Sequence, residues 1–159
     1  MCMAVDIKYV NPFLKATVTV FEMLGLPGGR PGKVSISDLT FPVDTFLIQV
    51  GVTGGMRGQV FIAFADDRAK AVASVMMMGM PVNELDEMAC SALGELGNMI
   101  LGNTATIFST QNIIFDITPP MLLHGKGLKL QSDIPAIAIP VVIQDCHYAT
   151  LYVCVEEAK

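Results

Sequence analysis

Basic residues are scarce in this sequence. The chain has ten lysines and arginines in 159 residues, and none falls between Lys70 and Lys126. A nucleic-acid binder needs a basic patch to neutralise phosphates, and no such cluster is present. Nucleic acid is therefore not an expected partner. Charged residues of both signs make up only 16% of the chain and hydrophobic residues 52%, a balance that excludes a disordered protein. Ligand-bearing side chains are also few. Cys2, Cys90, Cys146 and Cys154 form no CxxC pair, and His124 and His147 are the only histidines. No zinc-type spacing results, so no metal site is expected. The dispersed cysteines read as reduced thiols, some of them in the core.

Targeting and membrane signals are missing as well. Residues 96–115 form the longest charge-free run, which has about the length of a membrane span. The run holds Gly97, Asn98, Gly102, Asn103, Thr104, Thr106 and several further polar residues. That content rules out a lipid-facing helix, and the apolar excess is assigned to a large core or a subunit interface. Asp6 and Lys8 stand where an export signal would need an unbroken apolar stretch. A cytoplasmic protein without membrane insertion is the expectation. The glycines between Gly51 and Gly58 lack the Gly-Lys-Ser/Thr ending of a phosphate loop and precede no helix. They read as a hairpin turn. No Gly-x-Ser-x-Gly elbow occurs. His124, beside Gly125, and His147, in a turn, read as loop residues rather than catalytic ones.

The length suits one domain spanning 1–159. Residues 6–24 show helical spacing of Ile7, Val10, Leu14, Val18 and Phe21. Asn11-Pro12 interrupts it, so the helix either starts at Pro12 with Asn11 as cap or is kinked there. A flexible loop is expected over 25–32. Strands are predicted over 34–39, 45–53 and 57–64, the last two joined by a hairpin at Gly54-Gly55. Asp66 is expected to cap a helix running to about Met78. Its methionine run, Met76 to Met78, reads as core filler, with a sticky surface as the other reading. Asn83 is expected to cap a longer helix to about Ser109, with Asp86 and Glu87 in its first turns. Strands follow over 113–118, 122–130 with a break near Gly125, 136–143 and 148–155. Residues 144–147 form the last hairpin turn. Pro140 lacks a donor and belongs on an edge strand or at a bulge. Together these predict an α+β domain of two similar halves, with a largely antiparallel sheet covered by helices on one side.

On the long helix, Leu85, Met88, Ala89, Ala92, Leu93, Leu96, Met99 and Ile100 form a broad apolar surface. A narrow polar stripe runs through Glu84, Glu87, Ser91, Glu95, Asn98 and Gly102, spaced by three or four residues. Gly94 and Gly97 flank Glu95 and Asn98. A glycine inside a helix costs about 1 kcal/mol against alanine, so the pair needs a reason. Either another backbone of this chain packs closely there, or a partner does. By spacing alone, Glu95 and Asn98 read as a solvated surface more readily than as a functional pair.

Ser91, Glu95, Asn98 and Pro120 reproduce the Asp/Ser-x3-Glu-x2-Asn-x21-Pro signature of the CheC, CheX and FliY chemotaxis phosphatases. The segment from Gly94 to Ile100, Gly102-Asn103, and Asn11-Pro12-Phe13 with Phe21-Glu22 also resemble that family. Glu22 is followed three residues later by Gly25 rather than Asn, so the first helix carries no second site. In this the chain resembles the single-site CheX group. The resemblance implies a fold of CheC/CheX type and dephosphorylation of an aspartyl-phosphate on a CheY-like receiver. It implies that Asn98 positions the attacking water and that Glu95 docks to the receiver's lysine. Ser91, Gly94, Gly97 and Gly102 would shape the contact face, and Pro120 would preserve the fold. No cofactor of its own is implied, the receiver supplying Mg²⁺, and a homodimer formed through the sheets is implied. The other function class is a CheX-like module that binds a receiver or another signalling protein without hydrolysis.

Overall fold

The computed structural model describes residues 7–158, with side chains from residue 9 onward. Helix α1 spans Ile7–Met23 and buries Val10, Phe13, Ala16, Val20 and Phe21 along one face. Pro12 lies inside it. The helix neither starts at Pro12 nor takes Asn11 as its cap. Proline's fixed φ suits a helix, and the cost is one missing bond to the Lys8 carbonyl. Asp6, the expected first residue, lies outside the described residues. Gly25, at φ 84°, turns the chain out of the helix, and the Leu26 N–H closes on the Phe21 carbonyl at 2.8 Å.

In chain order the remaining elements are β1 (Arg30–Pro31), β2 (Ser35–Ser37), β3 (Thr40–Phe41), β4 (Thr45–Gly54), β5 (Met56–Ala65) and α2 (Asp66–Met76). Then come α3 (Glu87–Ser109), β6 (Phe115–Ile117), β7 (Met121–Gly125), β8 (Leu128–Lys129), β9 (Ala136–Ile143) and β10 (Cys146–Glu157). The cap of α2 is Ala65, not Asp66. Asp66 is the first helical residue and turns its carboxylate to Lys70 and His124 instead. Asn83 does not cap α3 either. Asp86 does, its carboxylate accepting the Ala89 N–H at 2.9 Å from extended backbone. Residues 83–86 are held in a turn by the Asp86 N–H on the Glu84 carbonyl, which places Asp86 rather than Asn83 at the helix start. Met78 is 96% exposed, so it does not fill the core.

Eight strands form one antiparallel sheet in the order β1-β9-β10-β5-β4-β6, with β2 also on β9 and β7 also on β4. β3 and β8 form a separate ribbon. The expected loop over 25–32 therefore donates a strand. Both predicted hairpins are present. Gly54 turns at φ 107°, and Gln144 and Asp145 both take positive φ. His147 lies within β10 and His124 within β7, so neither is a loop residue.

Pro140 is not on a bare edge. β9 is covered on its outer side by β1, opposite Val141 and Val142, and by β2, opposite Ala136 to Ala138. Pro140 falls in the gap between them and gives its carbonyl to the Gly32 N–H at 2.8 Å. In an antiparallel ladder a residue's N and C=O point the same way. The missing donor thus faces the gap, where no ladder bond is lost.

Alternation sets the core. Phe46, Ile48, Val50 and Val52 of β4, Val60, Ile62 and Phe64 of β5, and Leu151 and Val153 of β10 face α1, α2 and α3. The opposite face buries Leu47, Phe61, Ala63 and Cys154. Helices cover one side, as expected, and the β3–β8 ribbon caps part of the other through Phe41 against Tyr152, ring centroids 5.2 Å apart.

Candidate functional site

Helix α3 carries the signature because its apolar face is anchored along most of its length. Ala89, Leu93, Leu96, Ile100 and Phe108 are fully buried against the sheet and α1. That burial fixes which residues face out. Ser91 and Glu95 are exposed, and Asn98 and Gly102 are half-buried. Glu95 and Asn98 lie about 4.5 Å apart along the axis, one turn of the same face. Among the described residues no hydrogen bond or ion pair holds either side chain. The contrast with Asn103 is direct: its amide donates to the Met99 carbonyl at 2.8 Å. One asparagine serves its own helix, and the other is left for something else.

The three glycines divide. Gly97 is buried, and a Cβ there would stand 2.7 Å from Ile48 Cγ2 on β4. Gly94 is buried, and its Cβ would touch the Pro120 ring at 3.5 Å. Gly97 is a packing glycine that lets α3 sit close to β4, whereas the contact at Gly94 is of ordinary van der Waals length. Both are buried in the free chain. A Cβ on Gly102 would meet nothing within 4 Å. Its bareness serves no contact within the described chain. Pro120, immediately before β7, turns its ring toward Gly94 of α3.

The packing difference predicts opposite stability effects. Ile48 Cγ2 is fixed directly on Cβ and cannot swing aside. Gly97→Ala should destabilise by about 1–3 kcal/mol from overpacking, partly offset by alanine's helix preference. Gly102→Ala should stabilise by up to about 1 kcal/mol. Thermal unfolding of the two variants checks this, with the Gly97 variant melting below the parent and the Gly102 variant at or above it.

Met88, expected on the apolar face, is 61% exposed. It is two turns before Glu95 and shares the polar stripe. Cys90, next to Ser91, is half-buried, and its thiol lies 3.5 Å from the Leu85 carbonyl. Burial, with Asp86 nearby, raises its pKa. It is a protonated thiol rather than a nucleophilic thiolate. Cys154, deep in the sheet, is pushed up to about 11 by burial. Among the described cysteines, Cys90, Cys146 and Cys154 are all unpaired. Cys2 lies outside the described residues.

One titratable cluster was not legible from spacing. His124 Nε2 lies 3.3 Å from Asp44 and 3.1 Å from Asp66, whose other oxygen takes Lys70 Nζ at 2.8 Å. The hydrogen bond from Lys70 holds the Asp66 carboxyl below the usual range. Asp44, Asp66 and His124 have metal-type geometry, with ligand atoms within 4.8 Å of one another. Yet the ammonium on Asp66 already compensates charge there, and the group reads as a polar tie between the starts of β4 and α2 and strand β7. None of its members comes from α3. His147 bonds Thr150 at 2.7 Å, and burial followed by nearby Arg68 lowers its pKa. Among the described residues no helix is long and apolar enough to cross a membrane.

Chemically, the exposed face of α3 offers a carboxylate, an unengaged amide and a hydroxyl. It offers no cation, since residues 71–125 contain no lysine or arginine. Such a set can orient and dock, and it needs charge stabilisation from elsewhere.

Comparison with known proteins agrees with the geometry. A family model described as chemotaxis phosphatase CheX matches residues 46–147, which include the whole signature. A Thermotoga maritima protein named CheY-P phosphatase CheX is 35% identical over 141 residues, 87% of this chain and 89% of that one. The solved chemotaxis protein CheX of Desulfovibrio desulfuricans superposes with TM-score 0.80 at 26% identity, covering 94% of this chain and 99% of the other. A Borrelia burgdorferi CheX solved in complex with CheY, BeF3 and Mg²⁺ gives TM-score 0.77 at 26% identity, covering 94% and 98%.

Proposed function

This chain belongs to the CheX family of chemotaxis phosphatases, and from that premise we propose that it hydrolyses the aspartyl-phosphate of a CheY-like receiver domain. The observation that carries the reading is the unengaged pair Glu95 and Asn98 on the outward face of a helix whose other face is locked in the core. In the proposed reaction a water oxygen attacks phosphorus in line, and the bond from phosphorus to the receiver's carboxyl oxygen breaks. The products are inorganic phosphate and the free carboxylate. Asn98 enters the receiver's site and holds the water. Its amide accepts one water proton through oxygen and donates through nitrogen, which suits positioning rather than proton removal. Glu95 pairs with the receiver's lysine and sets the depth of docking.

The developing charge on the phosphoryl oxygens needs cations. Glu95 is the single carboxylate between Ser91 and Asn103, a donor set too small to hold Mg²⁺. The ion therefore belongs to the receiver in this reading, and the Borrelia burgdorferi complex, which contains CheY and Mg²⁺ together, supports it. The test is to follow phosphate release from CheY-like receivers phosphorylated with a small-molecule donor. Faster loss with this protein present is the expected result. Binding without acceleration would replace the phosphatase reading with that of a binding module.

A homodimer follows from the same family premise. Sedimentation should give twice the 17.0 kDa chain mass at micromolar concentration, and a monomeric mass would overturn it.

A further inference from the structure

We infer that the docking face extends from Glu95 toward the start of α3, and that Met88 is its apolar anchor, seated in an apolar depression of the receiver surrounded by basic groups. The inference rests on the proposed receiver-docking role of the same helix face and adds to it the residue that selects among receivers.

Exposed apolar residues scattered singly mean little. Met88 is different in position. It is 61% exposed on a helix whose buried face is otherwise continuous from Ala89 to Phe108. Seven residues before Glu95 is about 10 Å along the axis and about 20° around it. Met88 therefore stands on the line of Ser91, Glu95 and Gly102. Ser91 between them is small, and Gly102 beyond Asn98 presents bare helix. The face is thus of low relief, with one apolar side chain rising from its N-terminal end. A thioether on three rotatable bonds adapts to an imperfect pocket.

Charge identifies the surround. Glu84, Glu87 and Glu95 are exposed, as is the capping residue Asp86. Residues 71–125 contain no lysine or arginine, and Lys70, which acts on Glu84, is already engaged by Asp66. A partner surface complementary to this face carries basic groups around the pocket for Met88. A receiver that presents its phosphorylation site with an acidic rim would be rejected.

The experiment uses the full chain and a panel of CheY-like receivers held active with beryllofluoride and Mg²⁺. Affinity is measured by calorimetry, and hydrolysis of the phosphorylated receivers is measured separately. For the receiver that the parent binds, Met88→Ala should weaken Kd about tenfold, the loss of roughly one buried methionine. Its kcat at saturation and its melting temperature should not move. Met88→Leu should restore most of the affinity, and Met88→Glu should weaken it further. Glu87→Gln should flatten the salt dependence of Kd, whereas Met88→Ala should leave that slope unchanged. A Met88→Ala affinity within twofold of the parent overturns the inference, as does a loss confined to kcat. Failure of the phosphatase reading looks different: the parent would bind a receiver, with an affinity that depended on Met88, without accelerating phosphate loss. A parent that binds none of the receivers overturns both.

Discussion

Asn98→Ala should lose about 100-fold or more in kcat while receiver affinity changes by less than about threefold, the pattern of a group that acts on geometry in the transition state. The reason is in the helix. Asn98 is one turn from Glu95, half-buried, with its amide unengaged. The main-chain position is fixed by Leu96, Gly97 and Ile100 against the sheet. Truncation removes the amide and leaves everything that holds it. Asn98→Asp tests the same point more sharply. It keeps size and removes the two amide donors, while adding a charge that would face a phosphoryl group. It should be at least as slow as the alanine variant. Stopped-flow measurement of receiver dephosphorylation gives kcat and KM separately. Parent-like turnover in Asn98→Ala would end the water-positioning role.

Glu95→Ala should act on the other parameter. A charge pair that loses one partner in a desolvated interface costs about 2–5 kcal/mol, so Kd should rise roughly 30-fold or more. At saturating receiver kcat should stay within a few-fold of the parent. Glu95→Lys should abolish binding, since it would set two ammonium groups against each other. Glu95→Gln separates charge from shape and should lie near the alanine variant if the lysine pairing is what matters. Because Glu95 is exposed in the free protein, none of these substitutions should lower the melting temperature. Unchanged receiver affinity in Glu95→Ala would rule out the docking role.

Local chemistry made much of the fold legible. Gly54-Gly55 between two alternating apolar runs can hardly be anything but a hairpin, and β4 and β5 extend only one residue beyond the expected ends. β9 has the expected bounds, and α3 ends at the expected Ser109. Helix starts were harder. Asn83 and Asp86 are both good capping residues three apart, and only the turn at Glu84 decides between them. Proline at position 12 reads as a breaker, yet a single lost bond is outweighed by the packing of Val10 and Phe13 on either side. The two-residue strands β1 and β3 carry no periodic signal, whereas β8 lies in the strand expected over 122–130, beyond its break. β1 and β3 exist because β9 and β8 lie nearby, and sequence distance hides such pairing. The same holds for Asp44, Asp66 and His124, which come from three elements.

For the site, spacing identified the stripe but not what each glycine does. Of the two readings offered for Gly94 and Gly97, self-packing describes Gly97, whose Cβ would overlap Ile48. Gly94 and Gly97 meet Pro120 and Ile48, while Gly102 meets nothing. Met88 reads as part of the apolar face because its chemistry matches Leu85 and Ala89, but its angle around the helix, within about 20° of Glu95, sets it on the exposed stripe.

The gap opposite Pro140 also governs what happens in a concentrated solution. Each outer border of the large sheet is made of two fragments rather than one strand: β1 and β2 along β9, β6 and β7 along β4. Prolines stand beside both breaks, Pro31 and Pro140 on one border, Pro119 and Pro120 on the other. The longest fragment, β7, has five residues. Open edges template the addition of further strands, and short interrupted ones do not. The very apolar strands of this chain, which would otherwise be an aggregation hazard, are thereby enclosed. Copies can meet, but an endless ladder of them has nowhere to start.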